Sequence, residues 1–252
     1  RVLNQVRPEA TIVFGGAHLS TIRQELAQLC PWVDHVISGE GEEPFAQLLH
    51  ERQGRRLRRT DGARFSALSA YQLVHLDAYF AVNPTRTSNF ETGRGCRYKC
   101  AFCYSPKFYK GTRDFEVGGL VEELHTLREL GFRRVFIVND NLLNNVRWTE
   151  TFCAALVEAK LGLSWSCYAT LPDLSESASL LMGRAGCTQV FMGIDATGRA
   201  AEKALHKRFV RSTDDLTRKI RVLVDAGVQP TCGFILSPPS HPAAIDTDLT
   251  LH

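Results

Sequence analysis

The chain has 252 residues, and its 30 lysines and arginines against 27 aspartates and glutamates leave a formal net charge of +3. With 44% hydrophobic and 23% charged residues it has the balance of a globular protein. No stretch approaches the ~18 consecutive apolar residues of a membrane span, and so small a charge gives no reason to expect nucleic acid. Neither a membrane nor a nucleic-acid partner is expected, and the lack of an export signal predicts a cytoplasmic location.

The first 52 residues predict half of a doubly wound α/β domain. Strand signals at 10–15 and 33–38 alternate with helix signals at 20–29 and from Pro44 onward. The sequence opens on Arg1 rather than Met, and residues 246–252 read as an unfinished helix. We therefore expect a fragment cut at both ends.

Residues 53–87 have no regular pattern and predict a linker. From residue 88 a repeated strand–helix rhythm begins, with strands predicted at 88–92, 134–138, 164–169, 189–194 and 231–236. The helices are predicted at 117–130, 149–161, 175–185 and from Ser212 to Gly227. Alternation of this kind implies parallel strands joined by right-handed crossovers. The predicted fold is an α/β barrel or open barrel, with its chemistry at the carboxyl ends of the strands.

Cysteine is the one unusual feature of the composition. Three of the eight cysteines, Cys96, Cys100 and Cys103, form a C-x3-C-x2-C motif directly after the first predicted barrel strand. In a chain without an export signal, clustered thiols indicate metal ligands or catalytic groups. The other cysteines show no paired spacing, and four of them are predicted to be buried, inert thiols rather than a second cluster. These four are Cys153, Cys167, Cys187 and Cys232.

The residues around the motif suit a bulky, negatively charged group. The loop glycines allow a tight turn, and its basic residues, Arg94, Arg97 and Lys99, are predicted to favour thiolates. A [4Fe–4S] cluster held by three cysteines leaves one iron open to a substrate or cofactor. The alternative is a structural zinc site closed by a distant histidine. The candidate histidines are His18, His35 and His125.

The motif, with the aromatic Phe102 before its last cysteine and its place after the first barrel strand, resembles that of the radical SAM superfamily. The resemblance implies that Cys96, Cys100 and Cys103 bind a [4Fe–4S] cluster and that Phe102 lies near the adenine of S-adenosylmethionine. It also implies an enzyme that cleaves S-adenosylmethionine reductively to a 5′-deoxyadenosyl radical. The electron would come from a reductant such as flavodoxin or ferredoxin.

Four further positions match places where this family contacts S-adenosylmethionine. Asp140 and Asn141 follow the second strand, where an acidic and amide pair suits the amino group; the alternative is an Asx-turn. Thr170 ends the third strand, and Asp195 ends the fourth, in a Gly-Ile-Asp that resembles the family's Gly-Ile-Glu. Lys207 matches a basic position common after the fourth strand, the alternative being a solvated loop lysine.

The N-terminal half-domain resembles the last part of the cobalamin-binding domain that precedes the barrel in the cobalamin-dependent class. The resemblance lies in Gly15-Gly16-Ala17-His18 and in Gly39-Glu40-Gly41-Glu42. Gly15 and Gly16 would let a nucleotide tail approach closely, unless they form an ordinary strand-to-helix turn. The implied organisation is a cobalamin-binding-like part at 1–52, a linker at 53–87 and a truncated (β/α)6 barrel at 88–252.

The resemblance implies cobalamin as a further cofactor. The implied chemistry is methylation of an unreactive carbon or phosphorus, or radical ring closure or rearrangement, of a small-molecule or peptide substrate. One alternative is a cobalamin-free radical SAM enzyme such as a methylthiotransferase. Another, from a different class, is a zinc-stabilised binding protein.

Overall fold

The structure is a computed structural model that describes residues 2–21, 29–52, 71, 73–195, 199–207, 209–210 and 212–235. The chain divides into two compact units. The first unit comprises Arg1–Phe65 with Tyr104–Lys110, and the second comprises Ser66–Cys103 with Gly111–His252. The predicted linker falls mostly on residues outside the described ranges, so the predicted domain boundaries stay predictions.

The first unit holds a pair of parallel strands, β1 (Val13–Phe14) and β2 (His35–Val36). The helices of this unit are α1 (Val2–Val6), α2 (Ala17–Thr21), α3 (Glu42–Arg52) and the single turn Ser105–Phe108. Both strands are shorter than their predicted ranges. Most of the helix predicted at 20–29 lies outside the described residues.

The second unit is built on a five-stranded sheet in which every pairing is parallel. Its strands, in spatial order, are β3 (Thr87–Phe90), β6 (Arg134–Ile137), β7 (Ser164–Ala169), β8 (Cys187–Asp195) and β9 (Gln229–Phe234). Chain order and spatial order agree, as expected for strands joined by successive helical crossovers. The predicted α/β class with a parallel sheet is confirmed. A sixth barrel strand would follow residue 235, outside the described ranges.

The helices of this unit are α4 (Leu76–Val82), α5 (Val117–Glu129), α6 (Val146–Ala159), α7 (Glu176–Arg184), α8 (Arg199–Ala204) and α9 (Thr213–Asp225). Four of them, α5, α6, α7 and α9, match the predicted helices, whereas α8 was not predicted and α4 lies in the range predicted as a linker. Side-chain oxygens of Glu116, Asn145, Ser175 and Ser212 accept hydrogen bonds from the first turns of α5, α6, α7 and α9. Asn145 explains why α6 begins three residues before the predicted start at 149. None of the described helices combines the length and apolar character needed to cross a bilayer.

The core lies between one face of the sheet and these helices. Alternate residues of the central strands, such as Val135 and Ile137 on β6, are buried against the predicted apolar stripe of α5. Three cysteines belong to this core: Cys153, Cys167 and Cys187. Their predicted burial is thus observed. For Cys232 the prediction is wrong, because its side chain is only partly buried on β9, an outer strand of the described sheet.

A short antiparallel pair was not predicted. Strands β4 (Gly93–Arg94) and β5 (Arg113–Asp114) pair just beyond the carboxyl end of β3. The amide of Phe115 also donates to the carbonyl of Thr92, at 2.9 Å. Two-residue strands leave no alternating pattern in the sequence. The pair fixes where the loop with the C-x3-C-x2-C motif leaves the sheet.

Candidate active site

The three clustered cysteines lie on a loop that begins at β4, at the carboxyl edge of the parallel sheet. Gly95 has a φ of +82°, and a Cβ there would collide with the carbonyl oxygen of Gly111. A Cβ at Gly93 would lie 2.6 Å from the carbonyl oxygen of Arg113. Only glycine meets both demands, so the loop is held close to the opposing strand before its first cysteine.

The thiols of Cys96, Cys100 and Cys103 are partly exposed and near enough to interact electrostatically. Burial raises the pKa of Cys96 to about 11, although a backbone hydrogen bond at Tyr98 opposes the rise. The neighbouring thiolates and Asp140 raise this pKa further. The basic loop residues were predicted to favour thiolates, but the pKa of Cys96 is raised, so this prediction is wrong for Cys96.

Two of the three basic loop residues are paired with carboxylates. Both carboxylate oxygens of Glu91 accept from the Arg94 guanidinium, at 2.7 and 2.9 Å. The Arg97 guanidinium pairs with Asp173, and Lys99 points to solvent. The negative charges of Glu91 and Asp173 offset the positive charges of Arg94 and Arg97, so the two pairs have little net electrostatic effect on the thiols.

A buried ion pair of Lys207 and Asp195 stands beside the loop at the end of β8. Lys207 is only 8% exposed, so the alternative of a solvated loop lysine is wrong. Its Nζ lies 5.7 Å from the ring centroid of Phe102 and 4.6 Å from that of Phe209. Burial raises the pKa of Cys100, and the charge of Lys207 opposes that rise. Lys207 is thus a cation that acts on the Cys100 thiol.

Asp140 and Asn141 are adjacent in sequence but have different surroundings. Asp140 is partly exposed and close enough to Cys96 to affect its pKa. Asn141 is buried: its Oδ1 accepts from the amides of Leu143 and Thr170, each at 3.2 Å. The bond to Leu143 is that of the Asx-turn considered as the alternative. Asn141 therefore ties the carboxyl ends of β6 and β7 together.

Sequence reasoning missed Asp173, which connects the cysteine loop to these strand ends. Its carboxylate accepts from Tyr98, at 2.7 Å, from Asn141, at 3.0 Å, and from Arg97 and the Thr170 hydroxyl. Arg97 and Asp173 are 76 positions apart. No periodic or spacing signal connects residues so distant, and only the tertiary structure reveals the contact.

The three thiols of the loop are the ligands that a [4Fe–4S] cluster with one open iron requires. Within the described ranges, no three Cys, His, Asp or Glu side chains are gathered tightly enough to hold one ion. His125, a candidate zinc ligand, instead lies 3.5 Å from Glu129 on the surface of α5. The cysteines of a [4Fe–4S] cluster bind different irons, so they stand further apart than the ligands of one zinc. Three partly exposed thiols on one loop fit that group.

In the first unit, glycines follow both parallel strands. Gly16 has a φ of +100°, and no atom lies within 4 Å of the position that a Cβ would take. A Cβ at Gly15 would make only ordinary van der Waals contacts with Ile37. The Ser20 hydroxyl donates to the carbonyl of Gly16, at 2.8 Å, and accepts from the amide of Gly39, at 2.9 Å. The two glycine turns therefore meet at the carboxyl edge of this strand pair, where α/β domains bind ligands.

The chain is similar to known proteins over nearly its whole length. It is 24% identical to an uncharacterized methyltransferase of Pyrococcus horikoshii, covering 78% of this chain and 48% of the relative. It is also 24% identical to the anaerobic magnesium-protoporphyrin IX monomethyl ester cyclase of Rubrivivax gelatinosus, covering 94% of this chain and 47% of that protein. The chain thus spans about half the length of these curated relatives.

A solved structure shares the fold. TsrM from Kitasatospora setae, a radical S-adenosylmethionine methyltransferase with cobalamin and a [4Fe–4S] cluster bound, matches with a TM-score of 0.72 and 16% identity. The match covers 92% of this chain and 53% of TsrM. The family model of the radical SAM superfamily matches residues 90–243, more than half of the chain. This chain therefore belongs to the radical SAM superfamily, whose members use a [4Fe–4S] cluster and S-adenosylmethionine.

Proposed function

We propose that the protein is a radical SAM enzyme in which Cys96, Cys100 and Cys103 hold the [4Fe–4S] cluster. The observation that carries the proposal is their arrangement: three partly exposed thiols on one glycine-bearing loop at the carboxyl edge of a parallel sheet. When bound and reduced, the cluster supplies the electron that cleaves S-adenosylmethionine and releases a 5′-deoxyadenosyl radical. The residues around the loop would bind and orient S-adenosylmethionine.

The residues around the loop offer groups that match S-adenosylmethionine. Asp140 supplies a carboxylate beside Cys96, which suits the ammonium group of the cofactor. Phe102 is 48% exposed and offers an aromatic face to the adenine. The charge of Lys207 lies over the same ring and is balanced by Asp195. Asn141 and Thr170 act behind these groups, holding the strand ends in place.

Iron content tests the cluster assignment. Protein purified and reconstituted without oxygen should be brown, hold about four irons per chain and release 5′-deoxyadenosine from S-adenosylmethionine when dithionite is added. The Cys100→Ala variant should lose the colour and the iron. Cys232→Ala is the matched control, because this cysteine is also partly buried but lies on β9, outside the loop. Colourless protein that carries one zinc would overturn the proposal in favour of a zinc-stabilised binding protein.

We further propose cobalamin as a second cofactor and methylation, radical ring closure or rearrangement as the reaction. The relatives named as a methyltransferase and a cyclase support this chemistry, and so does the open space at Gly16. The proposed substrate is a small molecule or peptide, and the proposed electron donor is a flavodoxin or ferredoxin in the cytoplasm. A cobalamin-free enzyme such as a methylthiotransferase is the remaining alternative.

Cobalamin binding can be tested separately from the cluster. The protein should retain hydroxocobalamin in equilibrium dialysis, and Gly16→Ala should weaken binding by about tenfold through strain at a positive φ. Gly227→Ala is the matched control, since Gly227 also has a positive φ, of +74°, and open space at its Cβ, but lies in the other unit. If wild-type protein retains no hydroxocobalamin, the cobalamin-free alternative replaces this proposal while the cluster assignment stands.

A further inference from the structure

One buried carboxylate joins three loops at the carboxyl edge of the sheet. Asp173 ends the short 3-10 turn Leu171–Asp173 that follows β7, and it is 8% exposed. One carboxylate oxygen accepts from Arg97 and Tyr98, and the other accepts from Asn141 and Thr170. A charge so deeply buried is tolerated only where donors and an opposite charge compensate it. Asp173 has both.

The segment held by Asp173 lies between two proposed cluster ligands. Arg97 and Tyr98 stand between Cys96 and Cys100 in the sequence. The same segment is tied to Asn144, whose side chain donates to the carbonyl of Gly95, at 2.7 Å, and accepts from the amide of Arg97, at 3.1 Å. The backbone that separates the two cysteines is thus held by contacts with neighbouring loops.

The 3-10 turn that carries Asp173 is anchored to other parts of the fold. Lys219 on α9 donates to the carbonyl oxygens of Leu171 and Pro172, at 2.7 and 3.1 Å. The side chain of Leu171 is fully buried, and so is that of Asn141 on the other side of the carboxylate. The 3-10 turn is thus anchored to the core and to α9 by contacts that do not involve the cysteine loop.

We infer that Asp173 is a positioning residue, which sets the loop between Cys96 and Cys100 in the conformation that receives the cluster. This inference rests on the proposed function, because it concerns the same three thiols. Residues behind the ligands of a metal site change metal affinity by about 10- to 100-fold when they are replaced. Asp173 acts through its hydrogen bonds with Arg97 and Tyr98, which lie between two of the proposed ligands.

The test compares Asp173→Asn with Asp215→Asn in reconstituted protein. Asparagine keeps the shape of Asp173 but removes the charge that faces Arg97. The control, Asp215→Asn, removes the carboxylate of another arginine pair, with Arg218 on the surface of α9. We expect Asp173→Asn to speed the loss of iron to a chelator by about 10- to 100-fold and Asp215→Asn to leave the rate unchanged.

Hydrogen exchange in the metal-free protein gives a second readout. The Arg97 amide, which donates to Asn144, should exchange faster in Asp173→Asn, while the amides of β6 and β7 keep their protection. If Asp173→Asn folds poorly, Tyr98→Phe removes a single donor to the carboxylate and should speed iron loss by about fivefold.

The outcomes separate this inference from the function it rests on. Wild-type protein that binds no iron would overturn the proposed function. Wild-type protein that binds about four irons, with unchanged iron loss in both Asp173→Asn and Tyr98→Phe, would overturn the positioning role alone. A uniform rise in hydrogen exchange across β6 and β7 in Asp173→Asn would overturn it too, because that pattern would mean that Asp173 stabilises the whole fold rather than positioning the loop.

Discussion

The molecule contains two groups of three cysteines that differ in their exposure and in their place in the fold. The loop group is partly exposed and lies on one continuous loop at the carboxyl edge of the sheet. The core group comes from α6, β7 and β8 and is exposed by 0%, 0% and 3% in chain order. The loop group is Cys96, Cys100 and Cys103, and the core group is Cys153, Cys167 and Cys187.

The difference shows that surroundings, not residue type or number, decide what a thiol does. Cys167 is hydrogen-bonded to Cys187, and this bond together with burial raises the pKa of Cys167 well above its ordinary value. Burial raises the pKa of Cys153 to about 12. Cys153 and Cys167 therefore stay protonated, and the buried core thiols fill space as small apolar side chains. The loop thiols keep access to solvent, and one of them has the charge of Lys207 nearby.

Alkylation should separate the two groups most strongly. In metal-free, reduced protein, iodoacetamide should label the loop group while the core group stays unlabelled, because core thiols react only when the structure opens. Opening of a stable core protects its thiols by about a thousandfold or more. Mass spectrometry of peptides after timed labelling measures both rates. Labelling of Cys96 should also accelerate as the pH rises towards 11, since the thiolate reacts and burial raises its pKa to about 11.

The comparison would fail if the core group were labelled at the rate of the loop group. Protein unfolded in urea is the control, and there all six thiols should react alike. Equal rates in the folded protein would mean that α6 opens freely from the sheet.

Serine substitutions should separate metal binding from stability. Cys167→Ser places a hydroxyl in the dry core and should lower the free energy of unfolding by about 2 kcal/mol, with iron content unchanged. Cys100→Ser should abolish most iron binding, yet change the unfolding of metal-free protein by no more than about 0.5 kcal/mol. Urea denaturation and iron analysis measure the two effects. Iron loss without destabilisation in Cys167→Ser would show that the core group takes part in metal binding.

Much of this fold was predictable because its signals are local. The apolar stripe Leu120, Leu124 and Leu127 repeats at helical spacing, and all three side chains are buried as that pattern requires. The C-x3-C-x2-C motif likewise lies within eight residues, and its place after the first barrel strand follows from the order of the elements. Local spacing therefore predicted the parallel sheet, the four longest helices of its unit and the position of the three thiols on the loop after the first strand.

The surroundings of the loop were not predictable in this way. Asp173 and Lys207 each acquire their roles from partners that approach only in the folded chain, and the burial of Lys207 depends on Asp195 and the nearby rings. The sequence shows Arg97 as one of several loop cations, but its charge is compensated by a carboxylate 76 positions away. Electrostatic roles of this kind depend on long-range contacts, which leave no pattern in a single sequence.

Thr92 lies where the buried sheet gives way to the cysteine loop, and it provides the smallest and most specific prediction. Among the described residues, its Oγ1 is a buried side-chain oxygen that lacks a hydrogen-bond partner. Valine has the same shape without the hydroxyl, so Thr92→Val should raise the free energy of unfolding by about 1 kcal/mol. Thr149→Val is the control: this threonine is also buried, but its hydroxyl donates to the carbonyl of Leu142, at 2.7 Å. That variant should lose about 1 kcal/mol. Urea denaturation decides between the opposite signs, and destabilisation by both variants would mean that the Thr92 hydroxyl has a polar partner beside the cysteine loop.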